Sequence, residues 1–323
     1  MNMKKIIAIA ATAIMAAGVC TGLPTGTENT PALAITAEAA NSDFVIKTDD
    51  DGYKYVAGYK GKGGDITIPK EVVYIGKKAF YGNDKITSVT IPKTCNGVGE
   101  FAFSTCVNLK KVVVEGDITI ATDAFDHCVN LESVTVKGSI QDSIGSYAFF
   151  HCDKLKTVKI KGNKNNFVIR REAFMDCFSL TSINIPSKCT EIYGGAFLNC
   201  FNLAKLTIPA KTKINTENGQ DSHFGYVNVY GEHGWMTFVA DGKTSCSYNR
   251  YITKEEAVKT GTHYTMIYGC DVLASTDYEE ITPRQLTLTV TKGSPAEKWA
   301  KESGVKYVYA KSSSSKKKAA SSK

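Results

Sequence analysis

Ile169-Arg170-Arg171-Glu172-Ala173-Phe174-Met175-Asp176-Cys177-Phe178-Ser179-Leu180-Thr181-Ser182-Ile183-Asn184-Ile185-Pro186 reads as I-x-x-x-A-F-x-x-C-x-x-L-x-x-I-x-I-P. The Ala-Phe pair occurs six times, at Ala79-Phe80, Ala102-Phe103, Ala124-Phe125, Ala148-Phe149, Ala173-Phe174 and Ala196-Phe197. Three residues after each Phe stand Asn83, Cys106, Cys128, Cys152, Cys177 and Cys200, and three further on Ile86, Leu109, Leu131, Leu155, Leu180 and Leu203. Successive pairs are 22 to 25 residues apart. That is a solenoid period, in which no coil buries its apolar face alone and stability comes from stacking. A solenoid presents a long surface more readily than a deep pocket.

The L-x-x-I-x-I portion alternates at its end, which predicts a short strand with one face in the core. The same apolar positions recur at Leu109, Val112 and Val114, at Leu131, Val134 and Val136, at Leu155, Val158 and Ile160, and at Leu203, Leu206 and Ile208. The Ala-Phe segment predicts a tight turn or one helical turn, with Ala letting coils approach and Phe filling the centre. Pro92, Pro186 and Pro209 end strands, because proline cannot continue a ladder.

The cysteine column recurs once per coil, which marks Cys106, Cys128, Cys152, Cys177 and Cys200 as buried free thiols rather than bridges. Cys95 and Cys189 take the slot of Val72 in the first coil. A linear ladder does not converge on a metal, so no metal site is expected. Cys246 and Cys270 lie outside the period and form a possible disulfide. His127 and His151 make a second short stack, read as exposed.

In each strand the residues flanking the central apolar position point outward. Along the array these are Ser88 and Thr90, Lys111 and Val113, Ser133 and Thr135, Thr157 and Lys159, Ser182 and Asn184, and Lys205 and Thr207. They form a strip of hydroxyl, amide and ammonium groups without a carboxylate or an aromatic. One reading is a solvated β face that uses Thr for its strand propensity. The other is a flat, donor-rich ligand surface for a protein or an acidic glycan.

Residues 1–40 have the basic start, apolar run and small-residue end of a secretory signal peptide. Residues 41–63 predict a capping hairpin, 64–209 six repeats, 210–285 an irregular aromatic-rich insertion, and 286–310 a terminal coil with a capping helix. Ser294-Pro295-Ala296-Glu297 is the capping box of that helix. In the insertion, aromatics such as Tyr230 and Trp235 either make a small core or stack on a sugar or peptide. Residues 311–323 form a basic tail with nothing to bury, expected to be disordered.

The net charge is +7, of which the tail's five lysines supply +5 and the body only the remaining +2. The body therefore gives no argument for nucleic-acid binding. The tail is either a solvated terminus or an electrostatic contact to an anionic cell-wall polymer. No second apolar run is long enough for a membrane span, so the mature chain is read without one.

The pattern resembles the BspA-type leucine-rich repeat of bacterial surface and secreted proteins. Ile75-Gly76-Lys77-Lys78-Ala79-Phe80 and Ile144-Gly145-Ser146-Tyr147-Ala148-Phe149 carry its I-G-x-x-A-F signature, and Thr291 to Ala300 looks like its closing segment. The expected fold is a right-handed, β-rich leucine-rich repeat solenoid with a C-terminal strand-helix-strand cap. The resemblance implies adhesion to host or neighbour-cell proteins or glycans. The expected function is a secreted or cell-surface, non-catalytic, adhesin-like binding protein without cofactors. The alternative is a cell-wall-associated spacer held by its Lys-rich tail. No hydrolase, metalloprotease or phosphate-loop motif is present.

Overall fold

The computed structural model describes residues 43–200, 202–215, 246–253, 264–267, 270–281, 286–303 and 305–311. The signal segment, Tyr230, Trp235 and the tail beyond Lys311 lie outside the described residues.

An antiparallel hairpin of β1 (Phe44–Thr48) and β2 (Lys54–Tyr59) opens the fold. Strands then alternate between two sheets. β3 (Gly64–Thr67), β5 (Ile86–Ile91), β7 (Lys111–Val114), β9 (Ser133–Val136), β11 (Thr157–Ile160) and β13 (Ser182–Ile183) build one, all in parallel. β4 (Tyr74–Ile75), β6 (Gly97–Val98), β8 (Ile118–Ile120), β10 (Ile140–Ile144), β12 (Phe167–Ile169), β14 (Cys189–Tyr193) and β16 (Lys213–Asn215) continue from β2 to build the other. A third small sheet, β15 (Lys205–Thr207), β20 (Thr287–Val290) and β21 (Tyr307–Tyr309), closes the array. The result is a β-solenoid of about eight turns, where the repeat count predicts six. The extra turns come from the flanking segments. Val56, Ile66, Leu288 and Val290 are buried like the repeat positions, so their strands join in register.

Each coil turns a corner at its Ala-Phe pair. The rings of Phe80, Phe103, Phe125, Phe149, Phe174 and Phe197 stack in one column, with centroids 4.6–5.4 Å apart and planes within 10°. The thiols of Cys106, Cys128, Cys152, Cys177 and Cys200 each donate to the carbonyl of the Phe one coil earlier, at 3.1–3.2 Å. The cysteines are thus buried, free and hydrogen-bonded. Burial pushes the Cys128, Cys152 and Cys177 thiols up, so they remain protonated donors.

The corner holds two left-handed residues per coil. Lys78, Phe101, Asp123, Tyr147, Glu172 and Gly195 precede the Ala, and Gly82, Thr105, His127, His151, Asp176 and Asn199 precede the Cys or Asn. A left-handed conformation costs a non-glycine residue about 1–2 kcal/mol. From Lys78 to Asp176 each is held by its N–H bond to the next coil, as Thr105 to Asp126 at 2.7 Å and His127 to Phe150 at 2.8 Å.

A glycine column follows the first sheet at Gly116, Gly138 and Gly162. A Cβ on Gly138 would lie 2.1 Å from the Gly116 carbonyl oxygen. Gly138→Ala must therefore push two coils apart, and a loss of about 1–3 kcal/mol is expected. Urea unfolding checks this, and an unchanged midpoint would refute the contact.

The closing helix α1 (Pro295–Glu302) is capped as its sequence predicts. Ser294 Oγ accepts the Glu297 N–H at 3.2 Å. The Glu297 carboxylate accepts from Gly293 N–H at 2.5 Å and Tyr309 O–H at 2.7 Å, and pairs with Lys301 at 2.7 Å. Hydrogen bonds from Lys301, then Tyr309 and Gly293, pull its pKa down to about 2.

Within the insertion, β17 (Cys246–Thr253), β18 (Tyr264–Ile267) and β19 (Cys270–Ile281) form an antiparallel sheet with β19 in the middle. This register corrects the expected Cys246–Cys270 bridge. Cys246 pairs with Ile281 and Cys270 with Ile267, at opposite ends of the 12-residue strand β19. Such a strand is about 36 Å long, whereas a disulfide needs Cα atoms within about 7 Å.

Candidate ligand-binding surface

The first sheet aligns the outward residues in two rows. In the first row Ser88 pairs with Lys111, Lys111 with Ser133, Ser133 with Thr157, and Thr157 with Ser182. In the second, Thr90 pairs with Val113, Val113 with Thr135, and Thr135 with Lys159. Between the rows run the inward residues Val89, Val112, Val134, Val158 and Ile183, all buried. Lys205 and Thr207 align with Thr287 and Thr289 in the third sheet, which continues the strip in the same alternation.

Three features were not evident from the repeat pattern. The strip begins one coil earlier, at Asp65 and Thr67, which pair with Ser88 and Thr90. It therefore does contain a carboxylate. Asp65 accepts from Thr87 Oγ1 at 2.9 Å, and bonds from Ser88 and Thr87 hold its pKa below the usual carboxylate value. The signal was present in Asp65-Ile66-Thr67-Ile68-Pro69, which has the spacing of Ser182-Ile183-Asn184-Ile185-Pro186. Asn184, expected to face a ligand, spends its amide on the backbone instead. Its Nδ2 donates to the Ile160 carbonyl at 2.6 Å and its Oδ1 accepts the Ile160 N–H at 2.8 Å. This replaces ladder bonds where β13 stops after two residues.

Lys111, Lys159 and Lys205 are exposed, while Ser88, Thr90, Ser133, Thr135 and Thr157 are half-buried. Cross-coil ion pairs occupy other lysines. Lys77, Lys137, Lys156 and Lys164 reach Glu100, Glu115, Glu132 and Asp117 at 2.7–3.5 Å. Among the described residues no such carboxylate lies within 4 Å of the strip lysines. The strip is thus a flat band of hydroxyls with three exposed lysines and, at its first coil, the carboxylate of Asp65, which attracts Lys111 without pairing with it.

The description "BspA type Leucine rich repeat region" matches this sequence in six copies, over residues 59–168 and 115–222, together about half of the chain. The chain belongs to the BspA-type leucine-rich repeat family. Membership of this BspA-type family points to protein interaction or a surface role, and its repeat fold is typically non-catalytic. Solved structures of leucine-rich repeat proteins also match the chain. The Treponema pallidum (T. pallidum) leucine-rich repeat protein TpLRR is 24% identical, covering 58% of this chain and 74% of its own, with a TM-score of 0.39. A leucine-rich repeat protein from Bacteroides ovatus is 23% identical, covering 55% of each chain, with a TM-score of 0.37. A leucine-rich cell surface protein from Faecalibacterium prausnitzii is 19% identical, covering 60% and 73%, with a TM-score of 0.29. This chain thus spans little more than half of the Bacteroides ovatus protein. No curated protein matches the sequence. Among the described residues no helix is long and apolar enough to cross a membrane.

Beside the Phe column of this BspA-type solenoid runs a buried polar one. His127 and His151, expected to be exposed, are 3% and 2% exposed. The left-handed position before each Cys turns the side chain into the corner. Their rings stack with centroids 4.9 Å apart. His127 Nδ1 lies 2.5 Å from Asp126 Oδ1, and His151 Nε2 lies 3.2 Å from Asp176 Oδ2. Asn199 donates to Asp176 Oδ1 at 2.5 Å, and Ser104 Oγ to Asp126 at 3.2 Å. Among the described residues no group of three or more His, Cys, Asp or Glu is placed to hold a metal. The column bonds coil to coil.

Proposed function

We propose that the chain is an exported, surface-acting, adhesin-like binding protein that recognises a protein on a host or neighbouring cell through the outward strip of its first sheet. The observation that carries this reading is the set of exposed lysines without an ion pair, Lys111 and Lys159 in the first sheet and Lys205 in its continuation, among hydroxyls held in register across the coils. A rigid flat band of this kind suits a partner surface rich in acidic and hydrogen-bonding side chains. The signal-like residues 1–40 and the family's surface role support an extracellular location.

The test is a binding screen of the full chain against extracellular matrix proteins at low and moderate salt, followed by the triple variant Lys111→Glu, Lys159→Glu, Lys205→Glu. The strip is solvated, so stability should hold. Affinity for the identified partner should fall at least about tenfold, with a weaker salt dependence. Undiminished binding in that variant would remove the strip from the account.

A further inference from the structure

The second sheet carries an aromatic ladder that stops at a glycine. Tyr55 in β2 and Tyr74 in β4 are register partners, each followed by a buried inward residue, Val56 and Ile75. Their rings stack with centroids 4.9 Å apart and planes at 3°. The next residue in this outward row is Gly97, and the one after is Thr119. All four are half-buried.

Nothing in the fold requires glycine at position 97. Gly52, Gly63, Gly64, Gly82, Gly195 and Gly293 have positive φ. Gly76, Gly99, Gly116, Gly138, Gly145 and Gly162 would each drive a Cβ within 3 Å of another coil's backbone. Gly97 has neither constraint, since a Cβ there meets only Tyr74 Cβ, at 3.4 Å. A strand glycine that the fold does not demand leaves room for a ligand to approach the backbone closely.

The missing side chain leaves a slot. Strands are about 4.8 Å apart, so Tyr74 and Thr119 stand about 9.6 Å apart across Gly97. With a contact distance of about 3.5–4 Å on each side, one planar group fits between them. One wall is the free face of the Tyr74 ring. Tyr74 O–H donates to Asp49 Oδ2 at 3.0 Å. A phenol bonded to a carboxylate has an electron-rich ring, which attracts a cation to its face. Burial, followed by Asp49, Tyr55 and Asp50, raises the Tyr74 pKa, so the hydroxyl stays protonated in a negative field. Lys77 and Lys78 lie over Phe101 and Tyr81, whereas among the described residues no cation lies over Tyr55 or Tyr74. A planar slot beside a negative π face selects a guanidinium over an ammonium.

We propose that the Tyr74–Gly97–Thr119 slot is a subsite for an arginine side chain of a protein partner. It lies on the sheet opposite the lysine strip, so the two surfaces stand or fall separately.

The experiment is an NMR titration of the full chain with Nα-acetyl-arginine amide, run beside the corresponding lysine and tyrosine amides and methyl glucoside. The arginine amide should shift the Tyr74 ring and Thr119 methyl signals saturably, with the lysine amide about tenfold weaker or more. Gly97→Val, which fills the slot and suits a strand, should fold normally and abolish the shifts. Gly97→Thr repeats the test should the valine variant not fold. Three results would overturn the proposal. These are no saturable shift in the parent chain, undiminished shifts in the filled-slot variant, and tyrosine amide or glucoside binding as tightly as arginine.

Discussion

Replacing Phe149 with alanine should cost this solenoid about 3–5 kcal/mol, the usual loss for an aromatic core truncation. Phe149 is fully buried, with Phe125 at 5.2 Å and Phe174 at 5.1 Å on its two faces. The backbone around it cannot collapse into the cavity. The Phe149 N–H is fixed to Ala173 at 2.8 Å, and its carbonyl takes the Cys177 thiol at 3.1 Å. The cavity therefore persists, and the cost falls at the upper end. Phe149 also sits near the middle of the column. In a quasi-one-dimensional array each coil is stabilised only by its neighbours. A weak central interface should uncouple the two halves, turning one urea transition into two and raising hydrogen exchange first around residues 145–180. Phe150→Ala, at the half-buried neighbour, is the control and should cost much less. Equal losses at the two positions would mean that the Phe column does not carry the stacking.

The period made most of this legible. The A-F-x-x-C-x-x-L spacing located the corner, the core ladder and both outward rows, because side-chain direction in a strand follows from alternation alone. Other features depend on partners in neighbouring coils. Only Gly82 and Gly195 hinted at the left-handed corner, since Phe101, Tyr147 and Glu172 adopt it under the pull of inter-coil bonds. His151 read as a surface residue because its partner, Asp176, lies 25 positions away. The first copy's Asn83 looked like an exception to the cysteine column. The structure gives a reason for it. A column thiol needs the Phe carbonyl of the preceding coil, and the hairpin turn before Phe80 has no Ala-Phe corner to supply one. Asn83 instead turns its side chain to its own loop and accepts the N–H groups of Lys85 and Ile86 at 2.9 and 3.1 Å. The Cys246–Cys270 expectation failed for a related reason, because strand register decides which cysteines meet.

Two variants in the buried polar column should reverse each other's response to acid. His151 faces the His127 ring, Asp176 and, at 3.6 Å from Nδ1, Asp153. Burial, followed by the His127 neighbour, holds its pKa well below 6.5. It is neutral in the fold, so its contribution is present above pH 6.5 and is lost as pH falls toward the lowered value. Burial pushes the Asp176 pKa from 3.8 up to about 7, against the Asn199 bond that lowers it. Its contribution is present below pH 3.8 and is lost as pH rises through about 7. Below pH 6.5 the two oppose each other, and the parent chain should show a shallow dependence. Asp176→Asn keeps an acceptor for Asn199 and removes that titration, so His151 loses one of the groups that oppose it. Relative to the parent chain, that variant should lose stability as pH falls below 6.5, by up to about 1.4 kcal/mol per pH unit. His151→Gln should do the reverse and gain stability as pH falls from about 7 toward 4. The slope across pH, read from urea midpoints, is the measurement, because a constant packing loss in either variant leaves it unchanged. Slopes of the same sign in both variants would place the titration elsewhere. The next group would be Asp123, whose pKa burial, Asp126 and Glu100 also push up to about 7.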